Sequence, residues 1–132
     1  MKKLFALVMI FSFITSFLLA NSLELGSPAP QLKVLTDEGI ALDLGEALSA
    51  GTTLVFFYPK AMTPGCVKQA CSLRDGWDEL QARDVKIFGV SSDTAKTQAQ
   101  FRDKYRLPFT LLADTDRKIA DAFSKPMFRQ AY

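Results

Sequence analysis

The chain has 132 residues, with 16 lysines and arginines against 14 acids, two cysteines and no histidine. That is enough for one domain and too little for two, and without imidazole no histidine acts as base or zinc ligand. The near-balanced charge speaks against a nucleic-acid partner or an acidic membrane surface.

Residues 1–22, "MKKLFALVMIFSFITSFLLANS", stand apart from the rest. Lys2 and Lys3 precede an apolar run from Leu4 to Ala20, and small residues follow it. This is the plan of a secretory signal peptide cut after Ser22. The alternative is an uncleaved membrane anchor through residues 4–20, although the run is just under the ~18–20 residues of a spanning helix. Either way the chain is expected to be exported, into a periplasm. The leader carries two lysines and no acid, so residues 23–132 are balanced in formal charge. They are expected to form one domain.

After a Pro/Gly-rich leading loop, "QLKVLTDEGIALDL" has two alternating runs around Asp37-Glu38-Gly39, the pattern of a β-hairpin. "DLGEALSAG" reads as a short helix or turn ending at Gly51. "TTLVFFYP" is a continuous apolar run closed by Pro59, as in a parallel strand buried on both faces. A helix then opens with Thr63 as N-cap and Pro64 at its first position. Ala70, Leu73, Trp77 and Leu80 make one buried stripe, and the helix should fade near 82–84.

"VKIFGVSSD" is the next strand. A helix from about Thr94 to Tyr105 follows, expected to pack by Ala95, Ala99, Phe101 and Tyr105. "FTLLAD" is a third core strand, and "TDRKIADAF" a short helix with Asp116 as its cap. The last residues look like the start of another strand. Alternating strands and helices predict an α/β sheet covered on both faces.

Both cysteines lie in "FFYPKAMTPGCVKQAC". Cys66 is the third residue of the helix, where free backbone N–H groups and the positive end of the helix dipole favour a thiolate, the reactive form of the side chain. It also lies on the helix's buried stripe. With no imidazole available, activation must come from the helix start together with an arginine or lysine. Five residues of helix separate Cys66 from Cys71 by roughly 8–9 Å between Cα atoms, and a disulfide tolerates about 7 Å. The two can therefore pair only if the first turns unwind, which suits a bond made and broken in turnover better than a permanent staple. The other readings are two structural cysteines, one buried and one a bystander, or a zinc grip, for which two thiols are too few. A C-x-x-C redox motif is absent.

The segment "YPKAMTPGCVKQACSLRD" resembles the active-site segment of the peroxiredoxins, of the bacterioferritin-comigratory-protein or PrxQ type. The family's Pro, three residues, Thr, two residues, Cys is matched by Pro59, Thr63 and Cys66; many members of this subgroup carry a second cysteine where Cys71 stands. The resemblance implies a thioredoxin-like fold with a central mixed sheet flanked by helices, and a thiol peroxidase needing neither metal nor organic cofactor. Cys66 would be the peroxidatic cysteine, oxidised to a sulfenic acid by hydrogen peroxide or an organic hydroperoxide, and Cys71 the resolving one, closing an intramolecular disulfide. Thr63 would hold the peroxide, Pro59 would shield the sulfur, and Arg129 in "FRQAY" looks like the family's thiolate-pairing arginine. Arg74 and Asp75 match the family's "RD" but read as solvated or paired helix charges. The partners implied are the hydroperoxide and an external dithiol such as a thioredoxin-like protein, with the chain acting as a monomer. Family members continue past the arginine into a further strand and helix, which this sequence is expected to lack. Two other functions fit less well: thioredoxin-like thiol–disulfide exchange, and an inactive exported binding module.

Overall fold

A computed structural model describes Leu23 and residues 25–123. The expected leader, the expected last strand and Arg129 all lie outside these residues. The elements run β1 (Lys33–Thr36), β2 (Ala41–Asp43), α1 (Leu44–Ser49), β3 (Thr53–Phe57), α2 (Pro64–Asp75), α3 (Trp77–Ala82), β4 (Lys86–Ser91), α4 (Ala95–Tyr105), β5 (Thr110–Ala113) and α5 (Lys118–Ala122). The strands form one mixed sheet in the order β2-β1-β5-β4-β3. β3, β4 and β5 are parallel, while β1 runs antiparallel to both β2 and β5.

Period-two alternation in the strands divides the core between the two faces of the sheet. Phe56, Ile87 and Leu111 pack on one side with Tyr58, Cys66, Ala70, Phe101 and Phe109. Phe88, Val90 and Leu112 pack on the other with Val34, Leu44 and Ile119. Helices α2, α3 and α4 therefore cover the first face, and α1 and α5 the second. Between them Gly89 leaves no room for a side chain: a Cβ there would lie 2.6 Å from Leu111 and 2.7 Å from Phe56. The hairpin turn uses Gly39 at φ 75°, in the left-handed region where glycine carries little penalty.

Three expectations need revision. The helix opening at Pro64 is two helices, broken at Gly76, because glycine weakens the helix interior; the stripe Ala70, Leu73, Trp77, Leu80 nevertheless stays on the core side. The apolar strand β3 is parallel as expected but is an edge strand among the described elements, with Leu54 exposed and only Phe56 buried in it. An apolar run marks burial of faces and does not by itself locate a strand at the centre of a sheet. Finally, Asp116 caps α5 only in part: Arg117 holds the N-cap position, and Asp116 Oδ1 accepts the Lys118 N–H at a long 3.4 Å. The closer acceptors of the first turn are the two oxygens of buried Asp114, which receive the N–H groups of Ile119 and Ala120 at 2.8 Å each.

Burial pushes the Asp114 carboxyl above its usual range, partly offset by the N–H groups of Ala120 and Ile119. A carboxyl raised in the fold contributes stability that is full below its unfolded pKa of about 3.9 and is lost as pH rises through the folded value. The stability of the native chain minus that of Asp114→Asn should therefore decline between about pH 3 and neutrality. Urea melts across that range check it; a difference that rises with pH would contradict the sign.

Candidate active site

β3 ends at Phe57, and Tyr58 and Pro59 carry the chain off the carboxyl edge of the sheet into the loop 59–63. Ligand sites of open α/β sheets lie at such edges. Thr63, extended at φ −79° and ψ 147°, is the N-cap of α2, with Pro64 at the first helical position. Its side chain does not cap the helix. The hydroxyl instead donates to the Lys60 carbonyl at 2.9 Å, closing the loop on itself, while the Thr63 carbonyl accepts from the Val67 N–H at 2.9 Å.

Cys66 occupies the first turn of α2 and is only 6% exposed, in the cluster that contains Tyr58, Ala61 and Ala70. Cys71, further along the same helix, is half-buried, and both thiols are free. Intact α2 thus holds Cys66 and Cys71 apart by the helical rise, so a bond between them requires part of this helix to open. Pro59 is exposed and Thr63 half-buried. Arg129 lies outside the described residues.

Arg74 is engaged at the far end of α2 from Cys66. Its Nε and Nη2 donate to Asp75, and its Nη1 donates to the Tyr105 carbonyl at 2.8 Å. The Asp75 hydrogen bond raises its pKa further, with the Cys71 sulfur adding to that rise. Arg74 therefore bridges α2 to the end of α4, consistent with the paired helix charge expected of it.

A polar network under the loop has no counterpart in the sequence reading. The Tyr58 hydroxyl donates to Gln98 Oε1, and Gln98 Nε2 donates both to Ser91 Oγ at 2.9 Å and to the Leu112 carbonyl at 3.0 Å. Ser91 Oγ in turn donates to Asp93 Oδ2 at 2.7 Å, and the same carboxylate oxygen accepts the Ala61 N–H at 2.7 Å. Tyr58, Ser91 and Gln98 are all buried. Burial pushes the Tyr58 hydroxyl well above the ordinary phenol range; the neighbouring Ser91 and Gln98 side chains work against the rise, and the charges of Asp93 and Cys66 add to it. Tyr58 is thus a neutral donor at any physiological pH. One signal for Asp93 was available: it stands immediately before the N-cap Thr94 at the carboxyl edge of β4. Gln98 carried no local signal.

Among the described residues there is no cluster of side chains that could hold a metal. The chemistry on offer is that of a buried thiol at a helix start, a second thiol on the same helix, and hydroxyl and backbone donors around the loop.

The AhpC/TSA family pattern matches residues 25–127, a segment that stops just short of Arg129. The chain is 42% identical over 102 residues to a putative peroxiredoxin bcp of Coxiella burnetii, covering 77% of this chain and 67% of that one. It is 41% identical over 103 residues to peroxiredoxin Bcp of Escherichia coli, covering 78% and 65%. The chain therefore spans about two thirds of the length of these relatives. A solved structure of the Xanthomonas campestris bacterioferritin comigratory protein, from work on that protein's alkyl peroxide reduction activity, superposes with a TM-score of 0.69 at 30% identity, covering 80% of this chain and 69% of the other.

The exported, periplasmic placement expected from residues 1–22 is contradicted by the match to peroxiredoxins of the Bcp type. The apolar run that suggested export lies outside the matched segment. Among the described residues no helix is long and apolar enough to cross a membrane.

Proposed function

Because the chain belongs to the AhpC/TSA family and, within it, to the Bcp/PrxQ peroxiredoxins, we propose that it is a thiol-dependent peroxidase using Cys66 as nucleophile and Cys71 as resolving thiol. The observation that carries this reading is a free, buried thiol in the first turn of α2 with a second free thiol on the same helix.

The Cys66 sulfur attacks the terminal oxygen of a hydroperoxide. An S–O bond forms and the O–O bond breaks, and the departing oxygen takes a proton to leave as water or an alcohol. Negative charge builds on that oxygen, so donors aimed at it lower the barrier. The N–H groups of the first turn of α2 and the Thr63 hydroxyl supply such donors, the hydroxyl by rotating from the Lys60 carbonyl. Pro59 limits water on the outer side of the loop. Arg129 is the guanidinium assigned to the thiolate on resemblance. Once α2 opens, the Cys71 thiol displaces water from the Cys66 sulfenic acid and an S–S bond forms. An external dithiol of the thioredoxin type returns two electrons and two protons. The working unit is a monomer. The C-x4-C spacing separates this cycle from thioredoxin-like exchange, which uses C-x-x-C.

The test is consumption of tert-butyl hydroperoxide with a dithiol reductant, beside insulin reduction by the same sample. Hydroperoxide loss without insulin reduction is expected; the reverse pattern would overturn the reading. Cys71→Ser should still react once with peroxide but stop at a sulfenic acid, trapped by dimedone as a single adduct on Cys66. Without added dithiol, a Cys71→Ser chain that gives no dimedone adduct after peroxide, or a native chain that gives the same adduct and closes no disulfide, would contradict Cys71's assigned role.

A further inference from the structure

We propose that Asp93 is a positioning residue, a latch that holds the loop 59–63 and the first turn of α2 in the peroxide-reactive arrangement and must release before Cys66 and Cys71 can join. The proposal rests on the peroxidase reading for its function but on hydrogen-bond geometry for its mechanism.

The loop needs holding. Met62, a non-glycine residue, sits at φ 66° and is exposed, and the left-handed region carries a steric penalty for side chains with a Cβ. Met62 has no burial to repay it. Its neighbour Ala61 is buried, and apart from the Thr63 carbonyl's bond to Val67 in the adjoining helix, the Ala61 N–H makes the loop's one hydrogen bond, among those described, to another element: it reaches Asp93 Oδ2, 32 residues away, at 2.7 Å. The bond from Thr63 to Lys60 is internal and would survive movement of the loop as a body, and the bond from Val67 to the Thr63 carbonyl ties the loop only to the helix turn that moves with it.

Asp93 is itself fixed from behind. Ser91 Oγ donates to the same carboxylate oxygen and accepts from the Asp93 N–H at 3.3 Å. Gln98, wholly buried, holds Ser91 in turn and is anchored to the Leu112 carbonyl of β5. The loop is thus tied through one ionic acceptor to the centre of the sheet, and hydrogen bonds to an ionised acceptor are among the stronger ones. The same loop leads directly into the turn that must unwind to bring the two sulfurs within bonding distance. A tie at Ala61 therefore favours the wound state, in which Cys66 is set for peroxide, and opposes the open state, in which the disulfide closes.

Two opposed effects follow for Asp93→Ala. Disulfide closure by diamide, an azodicarboxamide that takes two electrons and two protons from the thiol pair, should be about tenfold faster or more, the scale of one charge-assisted hydrogen bond. Reaction of the reduced thiols with tert-butyl hydroperoxide should slow by a similar factor. Asp93→Asn keeps a carbonyl oxygen able to accept from Ala61 and Ser91, and should restore most of both rates. A residue of merely structural importance would slow the peroxide step without accelerating closure. The latch is overturned if closure in Asp93→Ala is no faster than in the native chain, or if Asn is as defective as Ala.

Amide exchange on the unmodified chain decides the matter should Asp93→Ala not fold. The Ala61 N–H should be protected in the reduced form and lose that protection in the disulfide form; an unprotected Ala61 amide in the reduced chain would overturn the latch. Diamide and amide exchange need no hydroperoxide, so a chain inert to peroxide would remove the peroxidase reading and leave the latch standing.

Discussion

Replacing Cys66 with serine should lower peroxide consumption by roughly a thousandfold or more, the scale seen when a nucleophile is removed outright. The cause is chemical. A serine hydroxyl at the same place is not ionised at neutral pH and is a far poorer nucleophile toward oxygen than a thiolate. The fold should survive, because the change keeps the side chain's size in a site 6% exposed; adding one hydroxyl to that cluster costs at most about 1–3 kcal/mol. Circular dichroism and a urea melt establish that the variant is folded, and a peroxide assay measures the loss. A folded Cys66→Ser protein that consumes hydroperoxide at the native rate would remove Cys66 from the reaction.

Gln98→Ala should be the most damaging substitution to stability. Gln98 is wholly buried and serves three groups at once: the Tyr58 hydroxyl, Ser91 Oγ and the Leu112 carbonyl. Each buried polar group left without a partner costs about 1–3 kcal/mol, and the shortened side chain adds a cavity. A loss of about 3–5 kcal/mol is expected, less where water enters to serve the orphaned groups. For a domain of this size that lowers Tm by on the order of 10–20 °C. Gln98→Met separates the two causes, since it fills the space and restores no hydrogen bond. It should lose most of the same stability; a Met variant within about 1 kcal/mol of native would show that packing, not the network, governs the site.

These two residues mark what could be read in advance. The start of α2 was legible because its signals are local: Thr63 and Pro64 adjoin, and Cys66 follows at fixed helical distance. The stripe from Ala70 to Leu80 was legible for the same reason and persists across the break at Gly76. Both hairpin strands and the strand–helix alternation also follow from short-range periodicity. Gln98 was not legible. It lies on a helix that reads as polar on most faces, and its partners stand 7, 14 and 40 residues away in sequence. Local pattern carries no information on which distant donor meets which acceptor. The bond between Asp93 and Ala61 was hidden likewise, since it spans the loop, α2, α3 and β4. Asp114 was not legible as the main acceptor of α5, because it stands four residues before the helix and reaches back to it only through the turn between them. The edge position of β3 depends on sheet order, which an apolar run does not encode.

The central claim is that the two thiols of one chain form a single peroxide-reducing pair. Intact-mass measurement of the reduced chain, titrated with hydrogen peroxide, tests it most directly. One equivalent should leave the chain two hydrogens lighter with no free thiol, and Cys66→Ser should keep its remaining thiol free under the same treatment. A chain that retains both free thiols after one equivalent, or that gains oxygen only on methionine, would contradict it.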